Sequence, residues 1–363
     1  MKKLFFHAVL VLLPFALLEG FFRLLPVSNP PYLLPVTAQD PVVHYQPNIE
    51  YLNSVGWNFA IRSRMRTNNY GYNNIVDYRP DASTPLLMVL GDSFVEAQAV
   101  GTGKSAAEIL NAAVSPEGRV YSMGISGAAL SQYLAFAEFA KDKFHPRAMA
   151  FVVIENDYDE SLLKYAGDPR FHYFDDSGVL HRVDYHRSAI KTLLRHSAFA
   201  RYVVLNVNPQ RIGFNLSRLR CGSGDPYACN GPAALEQRIA DSKRAVGYFF
   251  AVLPAKTGLG TDAVLFVMDA QRPDMYQPDG LRRAAHTYVA RMRQYFIEQA
   301  RSRGYEVLDM QPTFIARHRL DGARFEFATD SHWNALANAV VAEEIRKSGV
   351  FVRTFGQPAP GAH

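Results

Sequence analysis

Four short stretches of this chain hold the residue types that acyl chemistry uses. Met88-Val-Leu-Gly-Asp-Ser93 places a serine just past an apolar run and after a turn-permissive glycine, where a nucleophile can stand exposed at a sheet's edge. Downstream come Gly124-Ile-Ser-Gly127, then Glu155-Asn156-Asp157, then Asp330-Ser-His332-Trp-Asn334. A serine hydroxyl is a poor nucleophile unless a neighbouring imidazole takes its proton. The imidazole needs a carboxylate on its other nitrogen to fix the tautomer and stabilise the charge that forms. Negative charge growing on an acyl oxygen needs donors already aimed at it, each worth roughly 3–4 kcal/mol when removed. A glycine such as Gly127 permits close backbone approach because it has no Cβ. An asparagine such as Asn156 supplies an N–H that no carboxylate could replace.

Each stretch also has a plainer use. Ser93 fits a turn residue capping the next helix, and Asn156-Asp157 fits a strand-ending Asx turn. Gly127 suits a helix N-terminus. Asp330 and Asn334 both fit as N-caps of the last helix, which leaves Asp330 as either a cap or the partner of His332. The other histidines considered (His44, His145, His172, His181, His186, His196 and His318) have no ligand spacing and fall to surface or cap positions. No cofactor and no metal is implied.

The elements that must position these residues read as alternating strands and helices. Short continuous apolar runs at Leu86–Leu90, Val120–Met123, Ala148–Ile154, Ala263–Met268 and Tyr305–Leu308 suit strands of a parallel sheet buried on both faces. Helical patterns lie between them at about 103–113, 129–141, 235–253 and 281–303, with a last one at about 334–348. This alternation predicts right-handed crossovers and a three-layer α/β/α sandwich around a mainly parallel five-stranded sheet. Residues 86–350 form that domain, with an insertion at about 158–231 over the carboxyl edge where α/β ligands bind. Residues 26–85, rich in Pro, Asn, Tyr and Arg, read as an extended tether and wrapping segment, and 351–363 as a tail.

Composition agrees with an enzyme. The chain has 363 residues, 48% hydrophobic and 20% charged, which supports a sizeable core and excludes global disorder. The net charge of +5 comes with no Lys/Arg run long enough for a nucleic-acid footprint. Two cysteines exclude disulfide scaffolds and multi-cysteine zinc sites. At the N-terminus, Lys2 and Lys3 precede an apolar run from Leu4 to Leu18, followed by Glu19 and Arg23 and closed by Leu24-Leu25-Pro26. Basic residues before an apolar core, with no small-x-small site just after it, predict an uncleaved signal anchor over residues 1–25. The positive-inside rule then puts the catalytic part in the periplasm of a single-pass inner-membrane protein. Cys221 and Cys229 bracket a short Gly/Pro/Ser/Asp loop, and in an oxidising compartment they are expected to form a disulfide; two unrelated thiols are the alternative.

Taken in order, the four stretches resemble the blocks of the SGNH (GDSL-type) hydrolase family, over about residues 62–349. The lead-in Arg66-Thr-Asn-Asn-Tyr-Gly71-Tyr is similar to segments upstream of the serine in membrane-anchored bacterial members. The resemblance implies a flavodoxin-like SGNH fold, with Ser93 as nucleophile, His332 as base and Asp330 orienting the histidine. It implies an oxyanion hole from the Ser93 and Gly127 N–H groups and the Asn156 amide. Two departures stand out: Glu155 occupies a place where many members have Gly, and Asp330 lies two residues before the histidine rather than three. The latter spacing is similar to that of the anchored, polysaccharide-modifying branch. The function so implied is an extracytoplasmic serine esterase cleaving small acyl esters, O-acetyl groups on a carbohydrate above all. The alternatives are an O-acetyltransferase acting on envelope or exopolysaccharide and a non-catalytic polysaccharide-binding or assembly factor.

Overall fold

A computed structural model describes residues 2–37, 40–166, 170–183, 188–208 and 226–356. The five apolar runs form the strands β3 (Leu86–Gly91), β4 (Arg119–Gly124), β5 (Ala148–Val153), β8 (Val264–Met268) and β9 (Glu306–Asp309). They make one five-stranded sheet in the order β4-β3-β5-β8-β9, every pairing parallel. The period-two alternation of side chains, with both faces covered, explains why β3, β5 and β8 are apolar throughout. Leu86, Met88 and Leu90 enter one core with Phe151 and Phe266, whereas Leu87 and Val89 enter a second core with Leu265 and Val267.

Helices cover both faces. The first core is closed by α4 (Leu130–Phe144), α7 (Pro232–Thr257) and α9 (Tyr288–Ser302), through Tyr133, Phe249 and Phe296. The second is closed by α3 (Ala106–Val114), α10 (Met310–Asp321), α11 (Ala335–Lys347) and α12 (Gly349–Phe355), through Leu110, Phe314, Val341 and Phe351. The helical pattern at 281–303 is two helices, α8 (Gly280–Ala284) and α9, because Thr287 caps a fresh start by accepting the Ala290 N–H. Residues 349–355 are helical with Val350 and Phe351 buried, so the core continues past residue 350.

The segment 26–85 carries an antiparallel hairpin of β1 (Glu50–Val55) and β2 (Ile61–Arg66). In Ile61-Arg-Ser-Arg-Met-Arg66, Ile61, Ser63 and Met65 are buried while Arg62 and Arg64 are exposed. The insertion contributes a smaller hairpin, β6 (His172–Phe174) with β7 (Leu180–Arg182), and the helices α5 (Ala189–Leu194) and α6 (Ala198–Arg201). Cys221 lies outside the described residues, and so does the pairing expected of it with Cys229.

The N-terminal reading needs correction. Residues Lys2–Arg23 form a helix, α1, yet among the described residues no helix is long and apolar enough to cross a membrane. Lys3, Glu19 and Arg23 interrupt its apolar character, and Pro14 lies within it. Glu19 is committed to protein: its carboxylate accepts the Ser197 hydroxyl at 2.7 Å and the Ala198 and Phe199 N–H groups at 3.0 and 3.1 Å, and it pairs with Arg23. The last turns of α1 therefore dock on the start of α6. This overturns the single-pass inner-membrane placement and removes the ground on which the periplasmic assignment rested.

Candidate active site

The stretches singled out above meet at the carboxyl edge of the sheet. β3 ends at Gly91, and Asp92 then caps the one-turn helix α2 (Ser93–Glu96) by accepting the Phe94 N–H at 2.9 Å. Capping falls to Asp92, which leaves Ser93 at the head of the helix with its side chain on a cavity wall. A last short strand, β11 (Asp330–Trp333), paired with β10 (Glu326–Phe327), carries the histidine. His332 Nε2 lies 2.8 Å from Ser93 Oγ, and His332 Nδ1 hydrogen-bonds Asp330 Oδ1. Asp330 Oδ1 also accepts the His332 backbone N–H at 2.9 Å. The N-cap of α11 is Asn334, whose Oδ1 accepts the Ala337 N–H at 2.9 Å. The two uses open to Asp330 are thus separated, because the neighbouring asparagine does the capping.

The site is electrostatically loaded. Burial works against a charged imidazole, but the hydrogen bond and charge of Asp330, with the charges of Asp92 and Glu96, hold His332 above the ordinary histidine value. Burial pushes the Asp92 carboxyl up to about 6, against the opposing pull of the Phe94 N–H and of His332. Ser93 has one hydroxyl proton and two acceptors in reach, His332 Nε2 at 2.8 Å and Asp92 Oδ2 at 3.1 Å.

Opposite the histidine, the loops after β4 and β5 close the other flank. Gly124 must be glycine, since a Cβ there would lie 2.6 Å from the Glu96 nitrogen. Gly127 has φ of +85° and lines the cavity, a backbone setting that side chains disfavour. Asp157 takes the strand-ending job, accepting the Ile154 N–H at 2.8 Å and the Tyr133 hydroxyl at 3.0 Å. Asn156 is left to face the cavity, and its amide donates to Glu160 Oε2 at 2.6 Å. Burial, with the nearby Asp159 and Asp92, pushes the Glu160 carboxyl up to about 7, although the Asn156 bond pulls the other way.

Three contributors were missed from the sequence. Glu96 is buried, accepts the Ser126 N–H at 2.8 Å and the Ser126 hydroxyl, and takes the Gln98 amide at 2.6 Å. The Gln98 carbonyl then accepts the Asn53 amide at 3.1 Å and the Ser63 hydroxyl, which ties the β1–β2 hairpin to the site. The loop after β8 supplies Asp269, bonded to Arg272 at 2.6 Å and to the Trp333 indole N–H at 2.8 Å. Its place beyond a predicted strand end was a usable signal, whereas Glu96 and Glu160 carry none locally. The remaining histidines serve elsewhere, as His318 does with the Ala323 carbonyl at 2.8 Å; His186 lies outside the described residues. Among the described residues no three His, Cys, Asp or Glu side chains are grouped to hold a metal ion.

No protein-family model and no curated protein matches the chain. Solved structures similar to it include a member of the lipolytic G-D-S-L family from Veillonella parvula, 13% identical, with a TM-score of 0.39, covering 74% of this chain and 100% of that one. An acetyl xylan esterase is 12% identical with a TM-score of 0.40, covering 72% and 98%. The lipase/acylhydrolase from Enterococcus faecalis is 10% identical with a TM-score of 0.39, covering 77% and 100%.

Proposed function

We propose that the chain is an SGNH-type serine ester hydrolase that cleaves small acyl groups, O-acetyl above all, from a carbohydrate or similar alcohol. The observation that carries this reading is the hydrogen-bonded run from Ser93 Oγ through the His332 ring to Asp330 at the sheet's carboxyl edge. In the first step Ser93 Oγ bonds to the acyl carbon while its proton passes to His332 Nε2. The carbonyl oxygen becomes an oxyanion, met by the N–H groups of Ser93 and Gly127 and by the Asn156 amide. The bond from acyl carbon to alcohol oxygen then breaks, and His332 returns its proton to that oxygen. Water repeats the sequence against acyl-Ser93, releasing the acid and restoring the serine. Asp330 stays ionised throughout and holds the imidazole in the tautomer with its proton on Nδ1.

The test is reaction with a fluorophosphonate probe beside turnover of p-nitrophenyl acetate. The wild-type chain labels on Ser93 and turns over, and Ser93→Ala does neither. A chain that binds acetylated polysaccharide yet neither labels nor turns over belongs instead to the non-catalytic alternative.

A further inference from the structure

Two cavities, rather than one, open on the Ser93–His332 pair. The larger holds about 260 Å³ and the smaller about 80 Å³, and Ser93, Phe94 and His332 are the residues common to both walls. Their linings differ in kind. The larger is walled mainly by hydrogen-bonding groups, among them Glu155, Asn156, Asp269, Gln271, Arg272 and Ser331, with Val153, Ile154, Met268 and Val289 between them. The smaller joins Val55, Ala97, Ala99 and Trp333 to polar members that are already engaged: the Asn53 amide on the Ser63 hydroxyl and the Gln98 carbonyl, the Gln98 amide and the Ser126 hydroxyl on Glu96, and Asp330 on His332. A further observation separates them. The side-chain amide nitrogen of Gln271 is buried on the wall of the larger cavity with no partner among the described residues. A buried donor without a partner calls for one, and a turn of the Gln271 side chain toward the cavity would bring it to a ligand hydroxyl.

We infer that the small cavity walled by the β1–β2 hairpin is an acyl pocket gauged for two to three carbons, and that the larger cavity receives a polyhydroxylated alcohol with Gln271 as a donor. This inference rests on the serine-hydrolase reading above. At roughly 10–15 Å³ for each water-sized sphere, the small cavity has room for a few heavy atoms before a longer chain must pass out through its mouth. The proposed oxyanion donors Gly127 and Asn156 line the larger cavity alone, so an acyl carbon on Ser93 with its oxygen toward them leaves the small cavity for its alkyl end. His332 borders the larger cavity, as it must to return a proton to the leaving alcohol there. The segment between the N-terminal helix and the first sheet strand thereby becomes a specificity element, with Val55 as its gauge.

The experiment compares p-nitrophenyl acetate, butyrate and octanoate on the full chain and on Val55→Ala, Val55→Phe and Glu155→Ala, with glucose pentaacetate as a second alcohol. The wild-type chain favours acetate over octanoate by at least about tenfold in kcat/KM. Val55→Ala raises butyrate against acetate several-fold, and Val55→Phe lowers acetate turnover. Should Val55→Phe fail to fold by thermal melt, Ala99→Val repeats the filling arm. Glu155→Ala changes KM for the sugar ester and leaves the ratio among acyl chains where it was. A flat chain-length profile, or one moved by Glu155→Ala and not by Val55, overturns the inference while labelled Ser93 keeps the hydrolase reading. Absence of both labelling and hydrolysis overturns the two together.

Discussion

The two flanks of Ser93 are built on different plans. On the histidine flank the hydrogen bonds are already made: Ser93 to His332 at 2.8 Å, His332 Nδ1 to Asp330, and Asp330 back to the His332 N–H at 2.9 Å. On the opposite flank the groups suited to hold an oxyanion have acids behind them. Asn156 is bound to Glu160 at 2.6 Å, and the buried Asp157 and Asp159 lie close by. A preassembled base costs no reorganisation during the reaction, whereas an anion site backed by carboxylates works best when those carboxylates are neutral. Under the proposed mechanism the contrast assigns to the histidine flank whether the reaction occurs, and to the Asn156 flank how its rate responds to pH.

The largest effect expected is from Ser93→Ala, which removes the hydroxyl proposed to carry the acyl group; turnover should fall by ~10⁶-fold and in His332→Ala by nearly as much, since such residues act as a unit. Asp330→Asn comes next. Asn keeps the shape but cannot stabilise the imidazolium, so kcat/KM should fall on the order of 10³–10⁴-fold. Near-normal activity in that variant would leave a Ser-His dyad.

The sign of the pH effect follows from which form works. The base must be neutral, so activity in the wild-type chain falls as pH drops through the His332 pKa, which lies above the ordinary histidine value. Asp330→Asn removes the charge that favours imidazolium, so the residual acid limb should move to lower pH. Asn156→Ala is milder, about 10²–10³-fold in kcat, because two backbone donors remain.

The smallest effect is from Glu160→Gln. With the Glu160 carboxyl at about 7, its negative charge appears beside Asn156 as pH rises through neutrality and opposes the oxyanion. The wild-type kcat should therefore decline several-fold across that interval. Glu160→Gln, neutral at every pH, should lose the decline, and a decline that persists would remove Glu160 from the account.

Legibility in the sequence tracked how local each signal was. The central strands announced themselves because burial on both faces makes every position apolar, as in Leu86–Gly91. Ser93, His332 and Asp330 were legible because each sits beside an element boundary in a recognisable block, although only the fold could give the cap of α11 to Asn334 and so separate Asp330 from it. The β1–β2 hairpin leaves a signal in Ile61-Arg-Ser-Arg-Met-Arg66, whose period of two is short and set among prolines and asparagines. Glu96 was not legible, since its partner Ser126 lies 30 residues away, and Glu160 was not, since only the irregular turn after β5 brings it back onto Asn156. The N-terminal segment misled for the converse reason: its apolar run is real, but the partners of Glu19 lie at residues 197–199.

The central claim is that an acyl group passes through Ser93 with His332 as its proton carrier. Its most direct test is rapid acid quench of the wild-type chain during turnover of p-nitrophenyl acetate, followed by peptide mass mapping. The account predicts an acetyl group on the peptide containing Ser93, lost in both Ser93→Ala and His332→Ala. Turnover with no acetyl on that peptide, or an acetyl group found on another residue and retained in Ser93→Ala, would contradict it.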